Sequence, residues 1–307
     1  MVLHLKYNTN IMNYQVLGRS DLKISEVSFG CMSLGMNDAD NARLLHRAMA
    51  LGINYFDTAD LYDKGFNETS VGKALRGKRQ QVVIATKAGN QWRPDGSGWD
   101  WNPRKEYILA CAEESLKRLG TDYIDLYQLH GGTIDDPIDE TISAFEQLKE
   151  QGKIRYYGIS SIRPNVIREY AKRSNIVSVM MQYSLLDRRP EVSCLPVLQQ
   201  HGISVLARGS VAKGLLVNKP AEPYLTYSEA EVQHAKEVVA SLSGPQRSAA
   251  QTALKYVLMH PVVASAVVGI RTPEQLEDVA AAAPRLNEAE YELLTASIPV
   301  QDYAQHK

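Results

Sequence analysis

Eight short apolar runs, rich in Val, Ile and Tyr, alternate along this chain with longer amphipathic runs, and that alternation restricts the fold more than any other feature. The short runs are Glu26–Ser33, Ile53–Ala59, Val82–Ala88, Tyr123–His130, Tyr156–Ser161, Val177–Ser184, Ile203–Arg208 and Ser265–Ile270. Between them lie helical patterns with end signals. Asp38 or Asp40 is placed to cap a helix to Leu51, and Asn67 one to Leu75. Asn102-Pro103 opens a helix to Leu119, with Pro at the first helical position and Gly120 just past the end. Asp136-Pro137 opens another that stops before Gly152, and further helices are expected over 163–173, 192–201, 245–260 and 272–283. Strands alternating with helices make right-handed βαβ units and a parallel sheet. Eight such units in one domain favour a closed (β/α)8 TIM barrel over an open doubly wound sheet. No Gly-x-Gly-x-x-Gly follows the first run, which also disfavours a dinucleotide-binding open sheet. Tyr14–Ile24, with Gly18 and Asp21 as turn residues, reads as a hairpin plugging the barrel floor, and Asn287–Ser297 as an extra helix. The whole chain, 1–307, is expected to be one domain with an ordered core from about 14 to 300.

Composition removes several function classes. Lys+Arg is 34 and Asp+Glu 35, a net charge of −1, which argues against a generic nucleic-acid binder or a protein held to a membrane surface by charge. The longest stretch without Asp, Glu, Lys or Arg, Val192–Ala207, is shorter than the ~20 apolar residues of a spanning helix. Met1–Lys6 shows no secretory pattern. Cys31, Cys111 and Cys194 are odd in number with no Cys-x-x-Cys, so neither a disulfide framework nor a zinc site is indicated. A reducing, cytoplasmic compartment is expected. The histidines other than His130, from His4 to His306, form no cluster with metal-ligand spacing, and no metal is expected.

In a barrel every strand-to-helix loop lies on the C-terminal face, where sites are built. Two of these loops are long: Gly89–Asn102, which holds Trp92, Trp99 and Trp101, and Gly209–Gly244. The tryptophans either fold their loop onto itself or wall a substrate pocket, and the wall is the expected arrangement. At the strand ends four polar residues stand out: Asp57, Tyr62, Lys87 and His130. Asp57 and Lys87 are embedded in apolar strand sequence, where neither charge is tolerated unless paired. Adjacent strands bring them within reach of each other.

The runs Asn54–Tyr62, Ala85–Gly89 and Asp122–His130 resemble the aldo-keto reductases, and the likeness extends from Leu17-Gly18-Arg19 to Gly269-Ile270-Arg271. The branch looks like the prokaryotic members related to the potassium-channel β subunits. The resemblance implies a (β/α)8 barrel using NADP(H) without a metal, with Asp57, Tyr62, Lys87 and His130 as the catalytic residues. Reducing a carbonyl takes a hydride and a proton, and Tyr62 would supply the proton. A free tyrosine has a pKa of about 10, and a nearby Lys87 ammonium is expected to lower it. Asp57 would hold Lys87, and His130 would donate a hydrogen bond to the carbonyl oxygen.

The resemblance also implies the cofactor residues. Gly30, Cys31 and Met32 would meet the nicotinamide ribose and line the pocket, and Asp57 would also contact the cofactor. Ser160, Ser161 and Gln182 would meet the carboxamide. Arg208, Gly209, Ser210, Val211, Lys213, Gly214 and Leu216 form a loop over the pyrophosphate. Gly269, Ile270, Arg271 and Gln275 open a helix at the adenosine 2′-phosphate. Arg271 can fork onto a phosphate, so NADP(H) is expected in preference to NAD(H). Met32, Tyr62, Trp92 and His130 would line the substrate site for a small-molecule carbonyl compound. The chain departs from the pattern at Ser161, where relatives carry Asn, and at Arg208, where many carry an aromatic residue. It departs also at Ser210, at Val279, at the short segment Asn218–Ser228, and at Gly131-Gly132. Arg208 is placed to hold the nicotinamide or pyrophosphate, or to meet an anionic substrate. Glycine at 131 and 132 leaves room or permits an unusual turn. Two alternatives remain at this level: a non-catalytic NADP(H)-binding regulatory protein, and a lyase or aldolase using Lys87 as a Schiff base. The substrate is not legible, and the chain is expected to be a monomer or homo-oligomer.

Overall fold

A computed structural model describes residues 12–307; the Met1–Lys6 segment and His4 lie outside the described residues. All eight expected strands form. Preceding them, β1 (Tyr14–Val16) and β2 (Lys23–Ser25) pair antiparallel as a hairpin. The barrel strands are β3 (Val27–Gly30), β4 (Tyr55–Asp57), β5 (Val83–Ala88), β8 (Ile124–Leu129), β9 (Ile154–Ser160), β10 (Ser178–Gln182), β11 (Ser204–Arg208) and β12 (Val263–Gly269). They pair in parallel in chain order, and β12 closes onto β3. Two further strands, β6 (Asn90–Trp92) and β7 (Trp99–Trp101), form an antiparallel hairpin in the tryptophan-bearing loop.

Side chains alternate across a strand, and the alternation sorts the core into two layers. Inward residues Tyr55, Val83, Ala85, Leu126, Met180, Leu206 and Val267 pack with Leu17, Leu22 and Ile24 of the hairpin. Outward residues such as Phe56, Ile84, Tyr127 and Leu129 pack beneath the helices. The hairpin therefore closes the floor of the barrel, as its sequence suggests. Leu22→Ala is expected to lower stability by about 2–5 kcal/mol through transfer and cavity costs, checked by urea denaturation.

Several helix ends differ from the sequence expectation. Asn37, not Asp38 or Asp40, caps the helix Asp38–Ala50, its Oδ1 accepting from the amides of Ala39 and Asp40 at 2.9 and 3.2 Å. Asn67 lies inside the helix Phe66–Leu75 instead of capping it. Its buried amide accepts from Thr58 Oγ1 at 2.7 Å and donates to the Cys31 carbonyl at 2.8 Å, tying the ends of β3 and β4 together. The single helix expected over 192–201 is two, Arg189–Ser193 and Leu195–Gln200, because Pro196 cannot donate back across the junction. The long connection 209–244 contains a helix, Glu229–Ser241, opened by a capping box between Ser228 and Glu231. The extra helix at the chain end is Glu288–Ala296. No helix among the described residues is long and apolar enough to cross a membrane.

Candidate active site

Strand alternation places the four polar residues. Inward Tyr55 and Ala85 are followed two residues on by Asp57 and Lys87, and inward Leu126 by Gln128 and then His130. Register then puts Asp57 opposite Ala85, and Lys87 opposite Gln128. Lys87, only 1% exposed, donates from Nζ to Asp57 Oδ2 at 2.6 Å, to the Thr58 carbonyl at 2.7 Å and to the Tyr62 hydroxyl at 3.4 Å. All three ammonium protons are therefore directed. Gln128 Nε2 donates to the other Asp57 oxygen at 3.3 Å. Sequence reasoning missed Gln128, although it shares the inward parity of His130. Tyr62 and His130 meet edge to face, ring centroids 5.8 Å apart.

The electrostatics follow from burial and from these contacts. Burial opposes the Lys87 ammonium, but Asp57 and Tyr62 against it outweigh burial and hold its pKa above the ordinary lysine value. Burial pushes the Tyr62 phenol upward while Lys87 pulls it down, and the net effect is a rise from the ordinary tyrosine value. The lysine acts in the expected sense, yet desolvation dominates, so the net lowering expected from sequence does not occur in the protein alone. His130 is pushed down to about 3, by burial first and then by Lys87 and Arg208. It is a neutral imidazole at physiological pH, with a buried Nδ1 that has no partner among the described residues.

Above these groups a cleft of about 500 Å³ opens at the C-terminal end of the strands. Met32, Tyr62, Lys87, His130, Ser160, Ser161 and Arg208 all line it. Trp92 is not among its lining residues, and Lys64 Nζ sits 5.1 Å over the Trp92 ring. Trp101 packs on the loops instead, its indole against Gly89 and Gly131 and its Nε1 donating to Asp136 at 2.9 Å. Gly131 and Gly132 both have positive φ, 147° and 126°, and a Cβ on Gly131 would lie 3.1 Å from the Trp101 ring. The unusual turn therefore applies, while the space at Gly131 serves the Trp101 ring and is not the room in the pocket that was the other expectation.

The remaining expected cofactor residues sit at or just beyond the ends of β3, β10, β11 and β12. Gly30 ends β3, and Cys31 is fully buried behind it. Gln182 Nε2 is fully committed, donating to Asp187 at 2.9 Å and Tyr224 at 3.0 Å, which leaves Oε1 to accept from an amide. Arg208 donates weakly to that oxygen at 3.4 Å. Ser161 Oγ accepts from the Arg163 amide at 3.2 Å. After Arg208 the chain turns through positive φ at Gly209, Ala212, Lys213 and Gly214, with Val211 half-buried between them. Ser210 Oγ is buried there with no partner among the described residues. Leu216 and Ile270 are fully buried in the hydrophobic core, so only their main chain is available to a ligand. Gly269 ends β12, and Arg271 beyond it is exposed. Gln275 Oε1 closes the helix start by accepting from the Arg271 amide at 2.9 Å. Asp187 and Tyr224, which orient Gln182, carried no sequence signal of their own.

The family of this barrel is decided by a match over residues 26–298 to the aldo/keto reductase family. The chain belongs to the aldo/keto reductase family. Its members are oxidoreductases that bind a nicotinamide cofactor and act on small molecules. This aldo/keto reductase is 52% identical over 307 residues to the uncharacterized oxidoreductase YqkF of Bacillus subtilis strain 168, covering 96% of this chain and 100% of that one. It is 31% identical over 312 residues to the NADH-specific methylglyoxal reductase of Escherichia coli K12, covering 91% and 96%. It superposes with a TM-score of 0.91 on the holo form of aldo-keto reductase AKR11C1 from Bacillus halodurans, at 51% identity over 96% of this chain and 99% of that one. The apo form of the same protein gives 0.83.

Proposed function

We propose that this protein is an NADPH-dependent reductase that converts aldehyde or ketone carbonyls to alcohols. The contact chain from Asp57 through Lys87 to Tyr62, in the cleft that holds His130, carries this reading. When bound, the cofactor supplies a hydride to the carbonyl carbon. Tyr62, a neutral phenol, gives its proton to the oxygen that becomes the alcohol. Lys87 offsets the charge left on the tyrosine, and Asp57 with the Thr58 carbonyl keeps the ammonium aimed. His130, neutral, offers an N–H to the carbonyl oxygen. Gly30, Cys31, Met32, Ser160, Ser161 and Gln182 would hold the nicotinamide half, the 208–216 loop the pyrophosphate, and Gly269–Gln275 the adenosine end. Ser210 Oγ, unpartnered among the described residues, and Gln182 Oε1, which holds only the long Arg208 contact, fit that assignment.

Arg271 supports NADP(H) over NAD(H), because it is exposed at a helix start and has no carboxylate partner among the described residues. Arg271→Ala is expected to weaken NADPH binding about tenfold or more while leaving NADH binding nearly unchanged, since a lost charge-assisted phosphate contact is worth at least that. Fluorescence titration of the two cofactors checks it. The three cysteines are free and buried, which fits a reducing compartment such as the cytoplasm. We take the working unit as a monomer or a homo-oligomer. The reading is tested by following NADPH and NADH oxidation with 4-nitrobenzaldehyde and methylglyoxal. Turnover preferring NADPH is the expected result, and the absence of turnover with either cofactor overturns it.

A further inference from the structure

The cleft contains a basic residue that neither the sequence motifs nor the proton relay uses. Arg163 follows β9 and lines the same cleft as Tyr62 and His130. Its Nη1 donates to the carbonyl of Gly132, a residue with positive φ. The Nε–Nη2 edge makes no hydrogen bond among the described residues, and Arg163 has no carboxylate partner among them. That edge is the one whose two parallel N–H groups match a carboxylate.

The surroundings favour an anion. The residues lining the cleft include Lys87, Arg163 and Arg208 and no Asp or Glu. Asp57 neutralises Lys87, so Arg163 and Arg208 are left as uncompensated charges. Their positions differ. Arg208 ends β11, beside the loops expected to hold cofactor phosphates. Arg163 lies two strands round the barrel from it, between β9 and the turn after β8. Gly132 is two residues from His130, a chain span of at most about 7 Å. The free guanidinium edge is therefore anchored close to where a carbonyl oxygen would meet His130.

We infer that the preferred substrates are carbonyl compounds bearing a carboxylate, and that Arg163, seated on the Gly131–Gly132 turn, is the specificity-determining residue that receives it. This rests on the carbonyl-reductase reading above and names its substrate class. An ordinary aldehyde fills the site without engaging that edge. A carboxylate on the same skeleton adds a bidentate contact and is drawn in by the positive field.

The test compares 4-carboxybenzaldehyde with its methyl ester, methyl 4-formylbenzoate, at saturating NADPH. The kcat/KM of the acid is expected to exceed that of the ester by about 10- to 100-fold, the range of a charge-assisted pair. The advantage should sit mainly in KM and shrink as ionic strength rises. Arg163→Met should bring the ratio of the two substrates toward one. Arg163→Lys, which keeps charge but loses the fork, should restore part of it. A wild-type ratio of one or below, or a ratio unchanged in Arg163→Met, overturns the inference while leaving carbonyl reduction intact. Failure to reduce either aldehyde overturns the reductase reading, and this inference falls with it.

Discussion

Tyr62→Phe is expected to slow carbonyl reduction by a factor of about 100 to 10,000, the usual contribution of a positioned acid, with NADPH still bound. The substitution removes one oxygen and leaves the ring where it meets His130 edge to face. It also frees Lys87 Nζ from its longest contact, 3.4 Å, while the two shorter ones to Asp57 and Thr58 remain. The fold should therefore survive, and the loss should appear in kcat. The pH profile has a matching form. Burial pushes His130 down to about 3 and holds the Tyr62 phenol above the ordinary tyrosine value, so neither changes state near neutrality. The reduction rate of the wild type should be nearly level from about pH 5 to 9. It should fall only at alkaline pH, as the phenol loses the proton it must donate. A rate that rises from pH 6 to 9 would mean that the active form of Tyr62 is the phenolate.

Lys87→Met should abolish activity and also destabilise the barrel, by about 3–5 kcal/mol, because a buried carboxylate is left without its partner. Asp57 is 4% exposed, and burial already raises its pKa above the ordinary value with Lys87 present. Without Lys87 that carboxyl shifts further toward its protonated form. A group whose folded pKa exceeds its unfolded pKa stabilises the fold below the unfolded value and loses that stabilisation as pH rises through the folded value. The destabilisation of Lys87→Met should accordingly shrink in acid and grow toward neutrality. The double variant Asp57→Asn, Lys87→Met contains no buried charge at this point and keeps an acceptor for Gln128. It should recover most of the stability and none of the activity. Urea denaturation at pH 5 and pH 8 checks both, and equal stability of the single and double variants at pH 8 contradicts the account.

The fold was legible because its signals are local and repeated. Val- and Ile-rich runs separated by capped helices mark eight parallel strands, and each was found within a few residues of its expected bounds. The misses came where a tertiary contact took over a local one. Asn67 has the composition of a cap, yet its amide bridges β3 and β4 from within a helix. The helix Glu229–Ser241 buries only Val232, Ala235 and Val239, too sparse a stripe to stand out, although its Ser228/Glu231 capping box was readable. At the site, Asp57 and Lys87 were visible because a charge in an apolar strand demands a partner. Gln128 was readable from period two. Arg163 was not, since a lone arginine in a polar turn looks like any solvated charge. The direction of the Tyr62 pKa depends on how deeply the ring is buried, which no local pattern states. Trp92 illustrates the same limit: aromatic composition located a loop, while its partner Lys64 came from another one.

The most direct test of the central claim follows the hydrogen itself. Purified protein is given 4-nitrobenzaldehyde and NADPH carrying deuterium at both C4 positions, and the alcohol is analysed by mass spectrometry and NMR. Direct transfer within the Tyr62 cleft predicts one deuterium on the benzylic carbon of each product molecule, with little product from Tyr62→Phe. Alcohol formed without deuterium, or formed equally well by Tyr62→Phe, would contradict it.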